Sequence, residues 1–152
     1  MIAWEKIDNT KFENLAFDYM ASNYPDIRWE KTTLTNDGNK DGQSIISTLP
    51  FNTTIKYWYE AKYSININKS IPKSHLDSTL VSSLLDGHVV VIAFITNAYI
   101  SDDYKRRADI FARRRDNLKI YYINGEEIEN WLSENPAIED KYFNRISAQK
   151  HY

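Results

Sequence analysis

The chain has 152 residues, 42% of them hydrophobic, and a formal net charge of −2; this suits one globular domain. It contains no cysteine, which excludes disulfides, zinc–thiolate centres and cysteine nucleophiles. A constitutive, high-affinity DNA binder is usually more basic, so any nucleic-acid affinity must come from a local positive surface or from another segment.

The opening residues, MIAWEKIDNTKFENL, lack the apolar core of a signal peptide. Residues 10–21 predict a helix. Thr10 and Glu13 have capping-box spacing, and Phe12, Leu15, Ala16 and Tyr19 recur at helical spacing. IRWEKTTLT at 27–35 predicts a strand. NDGNKDG at 36–42 is turn material with two Asp-Gly pairs. QSIISTLP predicts a second strand, closed by Pro50, and TIKYWYEAKYS at 54–64 a third. Alternation places Ile55, Tyr57, Tyr59, Ala61 and Tyr63 on one face of that strand. Lys56, Trp58, Glu60, Lys62 and Ser64 take the other.

Residues 73–87 predict a helix with Leu76, Leu80, Val81 and Leu84 on its apolar side and Gly87 at its end. HVVVIAFIT predicts a strand buried on both faces. Its apolar run is too short to span a bilayer, and a soluble cytoplasmic protein without membrane contact is expected. A helix capped by Ser101, a strand LKIYYIN and a helix EEIENWLSEN follow. Hairpin-linked strands come first and strand–helix–strand units after. That order predicts an α/β fold, a mixed central sheet flanked by helices on both faces. The expected domain is 1–135, with 136–152 as a C-terminal extension or linker.

Two readings are open for Glu60 and Lys62. Lying two apart on one strand, they share a face, roughly 6–7 Å apart along the chain. They suit an exposed edge strand, where charge prevents aggregation. They also suit a site for a hard divalent cation and a phosphate, with Asp41 delivered beside them by the hairpin. Mg2+ needs only one or two carboxylates and oxygen donors such as the Ala61 carbonyl. Asp37, Asn39, Asp41 and Gly42 also match the start of an EF-hand loop, but position twelve is Thr48, where calcium needs a bidentate glutamate.

These residues together resemble the active-site motif of the PD-(D/E)XK nuclease superfamily: an acid, a variable gap, then E-x-K. More narrowly, the chain resembles Mrr-like, type IV restriction endonuclease domains. The resembling features are Phe12-Glu13 in the first helix, the turn from Asp37 to Gly42, and Glu60-Ala61-Lys62 ending a strand. A hydrophobic strand ending in Thr96 and the run IYYINGEEIENWL follow in the same order. The resemblance covers residues 10–132 and departs from the pattern in the long segment containing Pro50 and FNTT. It implies that Asp41 and Glu60 hold Mg2+ or Mn2+, that Lys62 serves the attacking water or the phosphate, and that Glu13 projects towards the same site.

The implied function is hydrolysis of DNA phosphodiester bonds to leave a 5′ phosphate. The implied setting is an effector module of restriction or antiphage defence, with sensor or NTPase domains in a larger parent protein. A double-strand cutter needs two active sites, which implies a homo-oligomer. The alternative is a catalytically inactive interaction or nucleic-acid-binding module that retains the fold. Glu13 keeps its capping-box alternative. Arg106, Arg107, Arg113 and Arg114, with Lys69 and Lys73, are candidates for contacting backbone phosphates; a solvated helix face is the plain alternative for the arginines. His75 is expected at the surface or in packing, and Trp58 in the core.

Overall fold

The computed structural model describes residues 2–32, 41–48, 53–115 and 118–143. The elements in chain order are α1 (Asn9–Asn23), β1 (Glu30–Lys31), β2 (Gly42–Thr48), β3 (Thr53–Lys62), α2 (Lys73–Asp86) and β4 (Val89–Thr96). Then come α3 (Asp102–Arg113), β5 (Lys119–Ile123), α4 (Gly125–Glu134) and α5 (Pro136–Phe143). The five strands form one sheet in the order β1-β2-β3-β4-β5. The β1–β2 and β2–β3 pairs are antiparallel, and β3–β4 and β4–β5 are parallel. The parallel half is joined through helices, as parallel strands require.

Alternation along the central strands divides the core into two layers. Tyr59 and Ala61 of β3, with Ala93 and Ile95 of β4, pack with Phe12 and Leu15 of α1 and Ile128 and Leu132 of α4. Their neighbours Trp58, Ile92 and Phe94 face the other way, towards Leu76 and Leu80 of α2 and Tyr104 and Ala108 of α3. With helices over both faces, β4 is a near-continuous apolar run.

Several expectations require correction. The β3 strand is central and Glu60 is only 4% exposed, so the exposed-edge reading of Glu60 fails. Helix α1 is capped by Asp8, whose Oδ1 accepts from the Lys11 N–H at 2.9 Å. The Thr10–Glu13 capping box therefore does not form, and Glu13 falls beyond the orphan amides of the first turn. On α2, Val81 and Leu84 are about half exposed, at 54% and 50%. The inward stripe is Leu76, Thr79, Leu80 and Ser83. Its polar members are satisfied: Thr79 Oγ1 donates to Glu60, and Ser83 Oγ donates to the Leu80 carbonyl and accepts from Arg115. Gly87 ends α2 in the left-handed region, at φ 77°.

Beyond residue 135, α5 packs Tyr142 and Phe143 into the α1 layer. Asp18 of α1 holds it there by accepting from the Tyr142 hydroxyl and from Lys141 Nζ. The Asp37–Asn39 part of the turn, Pro50 and residues 144–152 lie outside the described residues. Among the described residues, no helix is long and apolar enough to cross a membrane.

Candidate active site

Asp41 immediately precedes β2. Its backbone N–H donates to the Tyr59 carbonyl at 3.0 Å, and its carbonyl accepts from the Thr32 N–H at 3.0 Å. Both neighbouring strands thus fix its backbone. Its side chain turns onto β3, where Oδ2 accepts from the Ala61 N–H at 2.6 Å. The carboxylate adds a side-chain rung to the ladder just past the register pair Gly42–Tyr59.

Gly42 makes this approach feasible. A Cβ there would stand 2.0 Å from Cε2 of Tyr59 and 2.7 Å from its hydroxyl oxygen. The Asp-Gly pair is therefore a steric requirement here: the Tyr59 ring occupies the space of a side chain at 42.

Glu60 lies next to the Ala61 rung. Its Oε2 accepts from Thr79 Oγ1 of α2 at 2.9 Å, and its Oε1 is 3.8 Å from Lys62 Nζ. Glu13 comes from α1 and shares a hydrogen bond with Asp41, which in turn shares one with Glu60. Two strands and two helices thus bring Glu13, Asp41, Glu60 and Lys62 together. They line a cavity of about 330 Å³ with Asn9, Ala61, Tyr63 and His75.

The electrostatics follow from three acids in a partly dry space. Burial, then hydrogen bonding to Asp41 and repulsion by its charge, push Glu13 up to about 7, against Lys62 and Lys31. Burial, then the hydrogen bond and charge of Glu60, also push Asp41 to about 7, against the Glu13 hydrogen bond and the Ala61 N–H. Burial raises Glu60 as well, opposed by hydrogen bonding to Asp41, by Lys62 and by Thr79. Each of the three carboxyls therefore keeps its proton to a higher pH than it would in bulk water.

This donor set fits a hard divalent cation. It offers carboxylate oxygens, and the Ala61 carbonyl leaves β3 on the same edge as its N–H, hence on the Asp41 side. Among the described residues, no group of three or more His, Cys, Asp or Glu side chains is arranged to hold a metal ion; Mg2+ can be held by one or two carboxylates, because it keeps several waters.

The six basic residues proposed for phosphate contact do not line the cavity. Arg106, Arg107, Arg113 and Arg114 are exposed on or just after α3. Arg106 pairs with Asp103 at 3.5 Å and Arg107 lies over the Tyr104 ring. Lys73 Nζ donates to Asp103 at 3.0 Å, and Lys69 is exposed in the loop before α2. Trp58 is buried in the α2–α3 layer, as expected. His75 is exposed, as expected, but it also stands at the rim of the cavity.

Sequence reasoning missed Thr79 and Asn97. Thr79 follows His75 by one helical turn, so a polar residue on an inward α2 stripe was the available signal. Asn97, just past β4 and 2% exposed, clamps the residue after Tyr63. Its Oδ1 accepts from the Ser64 N–H and its Nδ2 donates to the Ser64 carbonyl, both at 2.7 Å. No short-range sequence pattern announces that pair.

No protein-family model and no curated protein sequence matches the chain. Two solved structures share its fold. The MspJI restriction endonuclease in complex with a 27-mer oligonucleotide matches 89% of this chain at TM-score 0.55 and 14% identity. The DNA modification-dependent restriction endonuclease AspBHI matches 95% at TM-score 0.52 and 16% identity. The chain spans 32% and 42% of those two chains, respectively. The mixed five-stranded sheet with its flanking helices is the fold that this chain shares with the two restriction endonucleases.

Proposed function

We propose that this chain is a metal-dependent endonuclease domain that hydrolyses DNA phosphodiester bonds. The observation carrying the proposal is Asp41 Oδ2 on the Ala61 N–H at 2.6 Å, beside Glu60 with Lys62 Nζ 3.8 Å away. Acid, glutamate and lysine meet at one end of the central strand, on a fold shared with two restriction endonucleases.

Asp41, Glu60 and the Ala61 carbonyl would hold Mg2+ or Mn2+. The bound ion would supply activation of water and stabilisation of charge on the phosphoryl oxygens. Lys62 is placed to donate to a phosphoryl oxygen or to orient the attacking water. Thr79 fixes the Glu60 carboxylate through one oxygen, so its other oxygen faces the Lys62 side. Glu13 adds acidic character to the cavity and orients Asp41. A role as an effector module in restriction or antiphage defence is the setting that the resemblance to Mrr-like domains implies. Sensor or NTPase segments and a second copy are partners of that reading.

The test is cleavage of supercoiled and linear DNA with Mg2+, Mn2+ or EDTA, by the wild type, Asp41→Ala and Lys62→Ala. Metal-dependent cutting by the wild type alone is expected. Equal cutting by all three proteins would sink the site assignment. Metal-independent binding without cutting would favour the inactive module.

A further inference from the structure

A second groove, of about 600 Å³, opens beside the acidic cavity and shares Asn9, Tyr63 and His75 with it. We infer that this groove is a subsite for an unpaired nucleobase next to the bond being cut. The inference deepens the nuclease reading and rests on it. It assigns the substrate class: DNA whose strand is single or locally melted at the cut.

Charge decides what the groove can hold. Among the described lining residues, His75 is the one basic side chain, while Glu5 and Asp8 are both acidic. A backbone phosphate would meet two carboxylates there, so the groove is no extension of a phosphate track. The walls are instead apolar and aromatic: Ile7, Tyr63, Ile71 and, at the mouth, Ile65, which is 82% exposed. The Tyr63 ring suits stacking of a base, and the isoleucines suit apolar contact with it. Carboxylates suit the exocyclic amino groups of cytosine, adenine or guanine as acceptors. Asp8 retains acceptor capacity after capping α1, because a carboxylate has several lone-pair sites.

The groove is also preformed. The Tyr63 hydroxyl donates to the Trp4 carbonyl at 2.7 Å, fixing the ring. Asn97 holds both backbone groups of Ser64 at 2.7 Å. At the far end of the loop, the Ile71 N–H donates to the Tyr99 carbonyl at 2.9 Å. Ile65 therefore sits on a loop anchored at both ends. Since the two cavities share a wall, a base in the groove and the phosphate beside it can occupy both at once. A paired base must first leave its stack and its partner, which costs free energy, so an unpaired base is favoured.

The experiment uses the full chain with Ca2+ in place of Mg2+, so that the carboxylates beside the neighbouring phosphate are neutralised, and binding is read before any hydrolysis. Oligonucleotides carry 2-aminopurine at one position, either as a single strand or in a fully paired duplex, and its fluorescence reports binding. The wild type is expected to bind the single strand about tenfold tighter, in line with one stacked base. Ile65→Ser, at an exposed position, should bring the ratio close to one. Equal affinities in the wild type, or an undiminished preference in Ile65→Ser, would overturn the subsite. Metal-dependent cutting of a plain duplex as fast as a single strand would overturn the subsite alone. Base preference without cutting under Mg2+ or Mn2+ would overturn the nuclease reading instead.

Discussion

Tyr59 and Gly42 occupy one space: the tyrosine ring fills the position a side chain at 42 would need, with Cε2 2.0 Å from the missing Cβ. Asp41 precedes that glycine and is bonded to the Tyr59 carbonyl through its own N–H. Core packing and acid placement are thereby joined at one residue pair.

Gly42→Ala should therefore destabilise the fold by about 1–3 kcal/mol through overpacking. It should also displace Asp41. Urea melts read the first effect, and loss of Mg2+-dependent cleavage reads the second. The double variant with Tyr59→Val should lose less stability than the sum of the two single changes. Strict additivity would show that the two residues do not compete for space.

In EDTA, stability should fall as pH rises from about 4 to about 7. Glu13 and Asp41 are raised from 4.5 and 3.8 to about 7 in the fold. Across that window the folded state holds protons that the unfolded state has released, so the slope of stability with pH is negative. Thermal melts across the window should show it. Asp41→Asn should flatten the slope and raise the melting temperature at pH 8, because the amide oxygen can still accept from Ala61. A rising melting temperature between pH 4 and 7 would contradict this. Added Mg2+ should restore stability at pH 8 in the wild type and less so in the variant.

Thr79→Val removes the hydroxyl bonded to Glu60 with little change of shape. A hydrogen bond to a carboxyl contributes about 0.5–3 kcal/mol, the upper part when the carboxyl is ionised. With EDTA at pH 8, the variant should be destabilised by about that amount. The cleavage reaction should then need a higher Mg2+ concentration for half-maximal rate. An unchanged Mg2+ titration would separate Thr79 from the site.

Lys62→Ala should lower kcat by about 100-fold or more, the scale of a lost electrostatic or proton-transfer group. Glu13→Gln keeps the side-chain shape and should reduce the rate less. A larger loss from Glu13→Gln than from Lys62→Ala would reverse the roles given to these two residues.

Much of the fold was legible because its signals are local. The alternation at 55–63 and the continuous run 89–95 each specify a strand and its burial. The acid and E-x-K residues were legible as a resemblance, and the hairpin explains how a residue at 41 reaches one at 60. Glu13 was ambiguous, because a capping box and a site residue look alike in sequence. Asp8, two residues before Thr10, took the cap. The outer face of α2 was misread because Leu and Val were assumed to point inward. The site end of the helix instead needed a hydroxyl at Thr79 for Glu60. Asn97 acts on Ser64, 33 residues away, and no local pattern carries such a pairing.

The register of β2 on β3, with Gly42 opposite Tyr59, has a consequence for how this protein can change. Strand faces alternate with a period of two, so a slip of one residue inverts them. A single-residue insertion or deletion between Asp41 and the end of β2 would keep nearly every side chain in the chain. It would nevertheless turn the acid away from Glu60 or move its glycine off the ring. A change of length at this strand is therefore expected to cost the site more than a substitution on its surface. Low overall identity to proteins of the same fold is compatible with a spacing of this kind being kept.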